Sequence, residues 1–290
     1  MGARVMESSL AGSWYHDDPV RLQRELAGYL QAATVAPDSR LFGVVMPHAG
    51  YAYSGPVAAW GARAVAGVPD LQRVIVLGFS HRVRLPGVAS VPSREEVYRS
   101  PLGETPLDTE GIAGLLDYAR FEDVLMTRQG ENSVEMQLPL LQVALAGRDW
   151  CLLPITLGQF DAVSLESVVD ALRPLMVPGT VLVASSDFTH YGAGFGYRPF
   201  RDNIAENLRQ LDGGAIEKIL AGDAAGFAAY CAETGATICG QDSIGVLLRL
   251  LPAGFEAREL AYDTSGSATG DYDHSVSYAT LAFYRGDATG

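Results

Sequence analysis

The sequence predicts a three-layer α/β/α fold built on a central, mostly parallel or mixed sheet. Short, wholly apolar runs recur along it, as in LFGVVM, RVIVLGF and GTVLVASS, and runs of this kind mark strands covered on both faces. Longer helical patterns separate them, which is the strand–helix alternation of this class. Neither an internal repeat nor a linker rich in Ser, Pro or charge divides the chain, so its 290 residues read as one domain, 1–290.

Taken in order, Asp18 caps a helix whose first position suits Pro19 and whose apolar stripe is Leu22, Leu26, Tyr29 and Leu30. LFGVVM is the first strand. The Ala-rich PVAAWGARAVAG is the next helix, with Ser54 and Gly55 leading into Pro56 at its start and leaving free amides for an anionic group. RVIVLGF and GVASV are further strands, 109–118 is helical, 121–126 a strand, 133–146 a helix, 150–157 a strand and 162–175 a helix. GTVLVASS is another buried strand. A helical stretch then runs from 201 to 249 with breaks at Gly213, Gly222, Gly235 and Gly240. Strands at 256–263 and 275–284 close the chain, joined by a surface loop over 265–270.

Composition narrows the function classes. Hydrophobic residues make up 48% and charged residues 19%, a globular balance, and a chain of this size buries roughly 75% of its unfolded surface. Stability therefore needs neither disulfide nor metal, and a metal, if bound, serves function. The net charge of −13 repels a phosphate backbone and an anionic membrane surface, which argues against nucleic-acid and membrane partners. No apolar run approaches the roughly 18 residues that span a bilayer, and the first residues lack a signal-peptide core. Met6 stands where a myristoylation signal wants Ser or Thr. Cys151, Cys231 and Cys239 are odd in number with no CxxC pair, so free thiols in a reducing, cytoplasmic compartment are expected.

Three of the five histidines share one local setting. His48 follows LFGVVMP, His81 follows RVIVLGFS, and His190 follows GTVLVASSDFT, each just beyond the carboxyl end of an apolar strand, where ligands bind in sheets of this class. A lone histidine is usually a structural hydrogen-bonding residue, but three at equivalent positions point to a common cleft. Cys239, in TICGQDSIGVLLRLL, sits at the start of an apolar helix with Asp242 or Ser243 as capping groups, and the helix dipole favours its thiolate. Cys151 and Cys231 fall within apolar elements and read as core thiols.

The strings MPHAGYAYSG, LGFSH, ENSVEMQLPLL, SSDFTHYG, TICG and SVSYA, in that order, resemble the signature blocks of the MEMO family, called AmmeMemoRadiSam system protein B in bacteria. The resemblance covers nearly the whole chain. It implies a single α/β domain similar in fold to class III extradiol dioxygenases of the LigB type. It also implies a metal held by His48, His81 and Cys239, with His190 nearby as acid or base and Asp187 orienting its ring, unless Asp187 caps a turn instead. Two imidazoles and one anion leave positions open for O2 and a small chelating substrate, as in non-haem iron oxygenases, where the anion is a carboxylate. Fe(II) is the first expectation, with Cu or Zn also suited to a thiolate. Tyr51 and Tyr53 are candidates to line the cleft.

Two departures from the family's pattern stand out. Asn132 replaces the histidine of EHS, and Gln241 replaces the arginine of CGR, so two of the three candidate substrate-binding positions, Tyr51 being the third, carry neutral amides. Glu131 precedes a helix and reads as a capping or solvated carboxylate rather than a ligand. The expected function is a mononuclear non-haem oxidoreductase of dioxygenase type. The alternatives are a non-catalytic metal- or peptide-binding protein, since animal members bind receptor phosphopeptides, and a metal-dependent hydrolase.

Overall fold

The longest apolar runs become the middle of a sheet. The computed structural model describes residues 2–286; Met1 and 287–290, the outer ends of the span read as one domain, lie outside the described residues. In chain order the strands are β1 (Val5–Glu7), β2 (Leu41–Met46), β3 (Arg73–Phe79), β4 (Ala89–Ser90), β5 (Val97–Ser100), β6 (Gly103–Pro106), β7 (Phe121–Glu122), β8 (Cys151–Leu157), β9 (Thr180–Ser185), β10 (His190–Gly192), β11 (Glu256–Thr264) and β12 (His274–Tyr284). The helices are α1 (Pro19–Ala32), α2 (Tyr51–Ala66), α3 (Thr109–Leu115), α4 (Asn132–Glu135), α5 (Gln137–Ala144), α6 (Ala162–Leu172), α7 (Ile204–Leu220), α8 (Ala224–Thr234), α9 (Gln241–Leu250) and α10 (Ser265–Thr269).

Among the described residues the main sheet has nine strands in the order β10, β12, β2, β9, β3, β8, β4, β7, with β11 paired to β12. Its centre is parallel, since β2 and β3 flank β9 and β8 follows β3, while β12 and β4 run antiparallel to their neighbours β2 and β8. Every residue of β2 and β9 is buried, which is why these strands read as unbroken apolar runs. Helices cover both faces. A Cβ at Gly43 would meet Leu247 of α9, whereas Met46 lies against Gly61 of α2, and residues 43 and 46 of one strand point to opposite sides.

Because β2, β9 and β3 are parallel neighbours, the segments that follow them emerge at one edge of the sheet. This places the loops after Met46, Ser185 and Phe79 side by side.

Several elements differ from expectation. β1, β5 and β6 form a separate small sheet; these short strands carry polar residues and only partly buried faces, so no apolar run announces them. The strand expected over 121–126 stops at Glu122, because Leu125 and Met126 are solvent-exposed and Thr127 closes a 3-10 turn by donating to the Val124 carbonyl. GVASV pairs only through Ala89–Ser90. The helix expected over 133–146 divides between α4 and α5 near Pro139, which has no N–H to donate. In the 201–249 stretch, Gly222 and Gly235 end α7 and α8 in the left-handed conformation, but Gly213 lies inside α7. The loop expected over 265–270 contains α10, capped by the Thr264 hydroxyl.

α2 begins at Tyr51, a full turn before Pro56. Tyr53 and Ser54 already donate their amides to the Gly50 carbonyl, so the free amides expected at 54–55 are absent from that start. No helix among the described residues is long and apolar enough to cross a membrane.

Candidate metal centre

His48 lies two residues beyond β2 and His81 two beyond β3, while Cys239 lies just before the N-cap of α9, Gly240. One ligand atom from each of the three falls within 4.8 Å of the other two. His48 is buried, Cys239 is half-buried and His81 is exposed, so the cluster sits at the mouth of the crevice with its His81 side towards solvent.

Each imidazole is oriented from behind. His81 Nδ1 lies 2.8 Å from Glu131 Oε1, and the same carboxylate accepts the His81 backbone N–H at 2.7 Å. His48 Nδ1 lies 2.9 Å from the Ser185 hydroxyl, which also accepts from Gln137 Nε2 at 2.8 Å. These bonds leave Nε2 of both rings for the cluster, and His48 Nε2 lies 3.2 Å from Cys239 Sγ. Metal-binding histidines almost always carry such a partner on the far nitrogen. The donor set, the distances and the ring orientations therefore fit one metal ion.

The electrostatics favour the anionic sulfur. Burial raises the Cys239 thiol, but the His48 charge and hydrogen bonds to His48 and His81 outweigh it and bring the thiol down to about 5. The Asp187 backbone N–H adds a donor at 3.3 Å. The His81 side chain is itself only 32% exposed, so partial burial opposes its charge as well, yet hydrogen bonds to Cys239 and Glu131 raise it to about 10. His48 is also raised, since the negative groups Cys239 and Asp187 overcome its burial. These shifts favour a thiolate beside protonated imidazole, so a cation that binds competes with protons for the ring nitrogens.

The neighbouring residues take roles that the sequence assigns only in part. Asp187 does not reach the His190 ring: its Oδ1 accepts the backbone N–H groups of His48 at 2.7 Å and Ala49 at 3.3 Å, fixing the loop that carries a ligand. His190 opens β10, and its Nδ1 lies 3.0 Å from the carbonyls of Phe188 and Thr237. A carbonyl only accepts, so Nδ1 carries the proton and Nε2 is left unprotonated in the neutral ring. His190 stands outside the three-donor group.

Asn132 is buried and donates Nδ2 to the His48 carbonyl, so it holds the loop rather than a ligand. Tyr51 is only 2% exposed and its hydroxyl donates to the Met136 carbonyl at 2.6 Å, which makes it a packing residue and not part of a cleft wall. Gln241 is exposed at the start of α9, its side chain 3.5 Å from the Ala236 carbonyl. Glu131 is buried, so the solvated reading is corrected; it caps α4 through the Ser133 amide while holding His81. Neither Asp242 nor Ser243 caps α9, because Asp242 accepts from the Phe160 amide and Ser243 donates to the Gly78 carbonyl. Cys231 is buried, Cys151 half-buried, and all three cysteines are free.

Sequence reasoning missed Ser185, Gln137 and the link from Glu131 to His81. The signal available was positional: Ser185 ends β9, the strand between the two that carry the histidines.

A family model described as "Memo-like protein" matches residues 6–282. Protein MEMO1 of Danio rerio is 33% identical over 294 residues, spanning 95% of this chain and 96% of its own. A MEMO1 family protein of Methanosarcina acetivorans is 33% identical over 283 residues, covering 96% of this chain and 98% of its own. Among solved structures, the uncharacterized protein JW3007 from Escherichia coli K12 superposes with a TM-score of 0.53 at 13% identity, over 84% of this chain and 99% of that one, a likeness of fold alone. On these matches, which run from the first strand to the last, the chain belongs to the family of Memo-like proteins.

Proposed function

We propose that this protein is a mononuclear non-haem metal oxidoreductase of dioxygenase type, with iron in the His48, His81, Cys239 site. Copper and zinc are the other metals that this donor set accepts. The observation that carries the reading is the convergence of two imidazoles and one thiolate within 4.8 Å, each ring braced on its far nitrogen. When bound, the metal supplies Lewis acidity and electron exchange with O2 and a chelating substrate.

The chain's own residues then have separable tasks. Cys239 supplies the negative charge, with the Asp187 N–H on its sulfur. Glu131 keeps the His81 ring in one tautomer and Ser185 does the same for His48. His190, with its proton held on Nδ1 by two carbonyls, offers Nε2 to take a proton from a bound hydroxyl and return it later.

The test is oxygen consumption by anaerobically loaded ferrous protein with a panel of vicinal-diol and 2-hydroxy-acid chelators. The proposal expects uptake that disappears in His190→Ala while iron content stays at the wild-type value. Turnover that persists without oxygen would replace it with hydrolysis. Full iron occupancy with no turnover across the panel would leave a metal-binding protein without catalysis.

A further inference from the structure

A cleft of about 550 Å³ opens beside the loop that follows His48. That volume lies within the roughly 300–1,000 Å³ of small-molecule sites. Ala49 and Gly50, directly after His48, form part of its lining, and the Trp14 backbone lies against Gly50. Its lining includes Trp14 at 37% exposure and Tyr53 at 48%, two large aromatic side chains left accessible, and the buried Tyr278 of β12. His274 also lines it, and its ring stacks on Phe195 at 4.4 Å; Phe195 in turn meets the His190 ring edge-on at 5.2 Å. The cleft thus runs from the His48 loop to His274, which is separated from His190 by the Phe195 ring.

Among the residues lining it there is no Lys or Arg; Asp271 supplies its one carboxylate and His274 its one imidazole. One Asp271 oxygen accepts the Asp273 amide at 2.9 Å, and the chain as a whole carries −13. Accessible indole and phenol faces with one carboxylate attract a desolvated organic cation and repel an anion.

We propose that this cleft binds a small aromatic ammonium compound, with the cationic end between Trp14, Tyr53 and Asp271. The proposal names the substrate class of the metal site and rests on the reading above only for where the substrate's other end reacts. The probe is benzyltrimethylammonium, which has no lone pair for a metal, titrated calorimetrically against benzyl alcohol and phenylacetate. Cation binding at least tenfold tighter than that of phenylacetate is expected. Losses of roughly three- to tenfold are expected in Trp14→Ala, Tyr53→Ala and Asp271→Asn, at unchanged metal content. The same order of binding is expected in metal-free His81→Ala, so a failure of the metal reading would leave this result intact. Phenylacetate binding as tightly as the cation, no cation binding at millimolar concentration, or cation affinity unchanged in both Tyr53→Ala and Asp271→Asn would overturn it.

Discussion

Replacing Glu131 by Gln should weaken metal binding without removing any ligand. The carboxylate accepts two bonds from one residue, the His81 ring at 2.8 Å and the His81 backbone N–H at 2.7 Å, and a third from the Ser133 amide at 3.0 Å. An amide keeps one oxygen, so one of the His81 bonds becomes a neutral contact and the other sets N–H against N–H. Hydrogen bonds to a charged group contribute about 1.5–3 kcal/mol against about 0.5–1.5 kcal/mol for neutral ones. A loss of about 1.5–2.8 kcal/mol in ring orientation and basicity corresponds to roughly 10- to 100-fold in affinity, the range typical of groups that orient metal-binding side chains. Competition with a chromophoric chelator measures it, and circular dichroism checks that the fold is kept. Ser185→Ala, which removes a neutral hydroxyl from His48, should cost less, roughly three- to tenfold. Equal affinities for wild type and Glu131→Gln would refute the claim that the carboxylate organises His81, and a larger loss in Ser185→Ala would reverse the assigned ranking.

The other predictions concern residues that hold the site in place. Gly240→Ala sets a Cβ 2.6 Å from the Ser185 carbonyl and 2.5 Å from Ser186 Cβ, so it should push the Cys239 segment off β9 and reduce sulfur ligation; an unchanged cobalt–thiolate charge-transfer band would contradict this. Tyr51→Phe should lower the melting temperature by about 2 °C through loss of a buried hydrogen bond, while metal affinity stays put; a shift in affinity would return Tyr51 to the site. Asp212, buried in α7, accepts from the Thr189 amide and hydroxyl and from Tyr262, and burial raises its carboxyl above the usual 3.8. Its contribution is complete below that value and is lost as pH rises through the raised one. Asp212→Asn should therefore gain stability relative to wild type as pH rises above about 4, and parallel stability curves would count against it.

The sequence made the centre of the fold legible because β2, β3 and β9 are buried on both faces, so their apolar runs have no competing interpretation. For the same reason His48 and His81 were legible: each follows such a strand, and parallel neighbours bring their carboxyl ends together. The outer sheet was not, since β5 and β6 satisfy their backbone through pairing while exposing polar side chains such as Arg99 and Glu104.

Roles that depend on a partner far along the chain were also hidden. Asp187 reaches the His48 amide across 139 positions, although His190 lies only three residues away in sequence. Tyr51 looked like a cleft residue because nothing local distinguishes a helix-start tyrosine that faces α5 from one that faces solvent, as Tyr53 does. Gly213 resembled a helix break, yet α7 runs through it, and the adjacent Gly214 is where the Tyr230 hydroxyl of α8 packs closest.

The most direct test of one metal shared by two imidazoles and a thiolate is X-ray absorption on protein loaded with a single equivalent of ferrous ion under argon. A sulfur scatterer at about 2.3 Å together with two histidine nitrogens is predicted, with the sulfur contribution absent in Cys239→Ser. A first shell of oxygen alone, or a sulfur signal that survives Cys239→Ser, would contradict it.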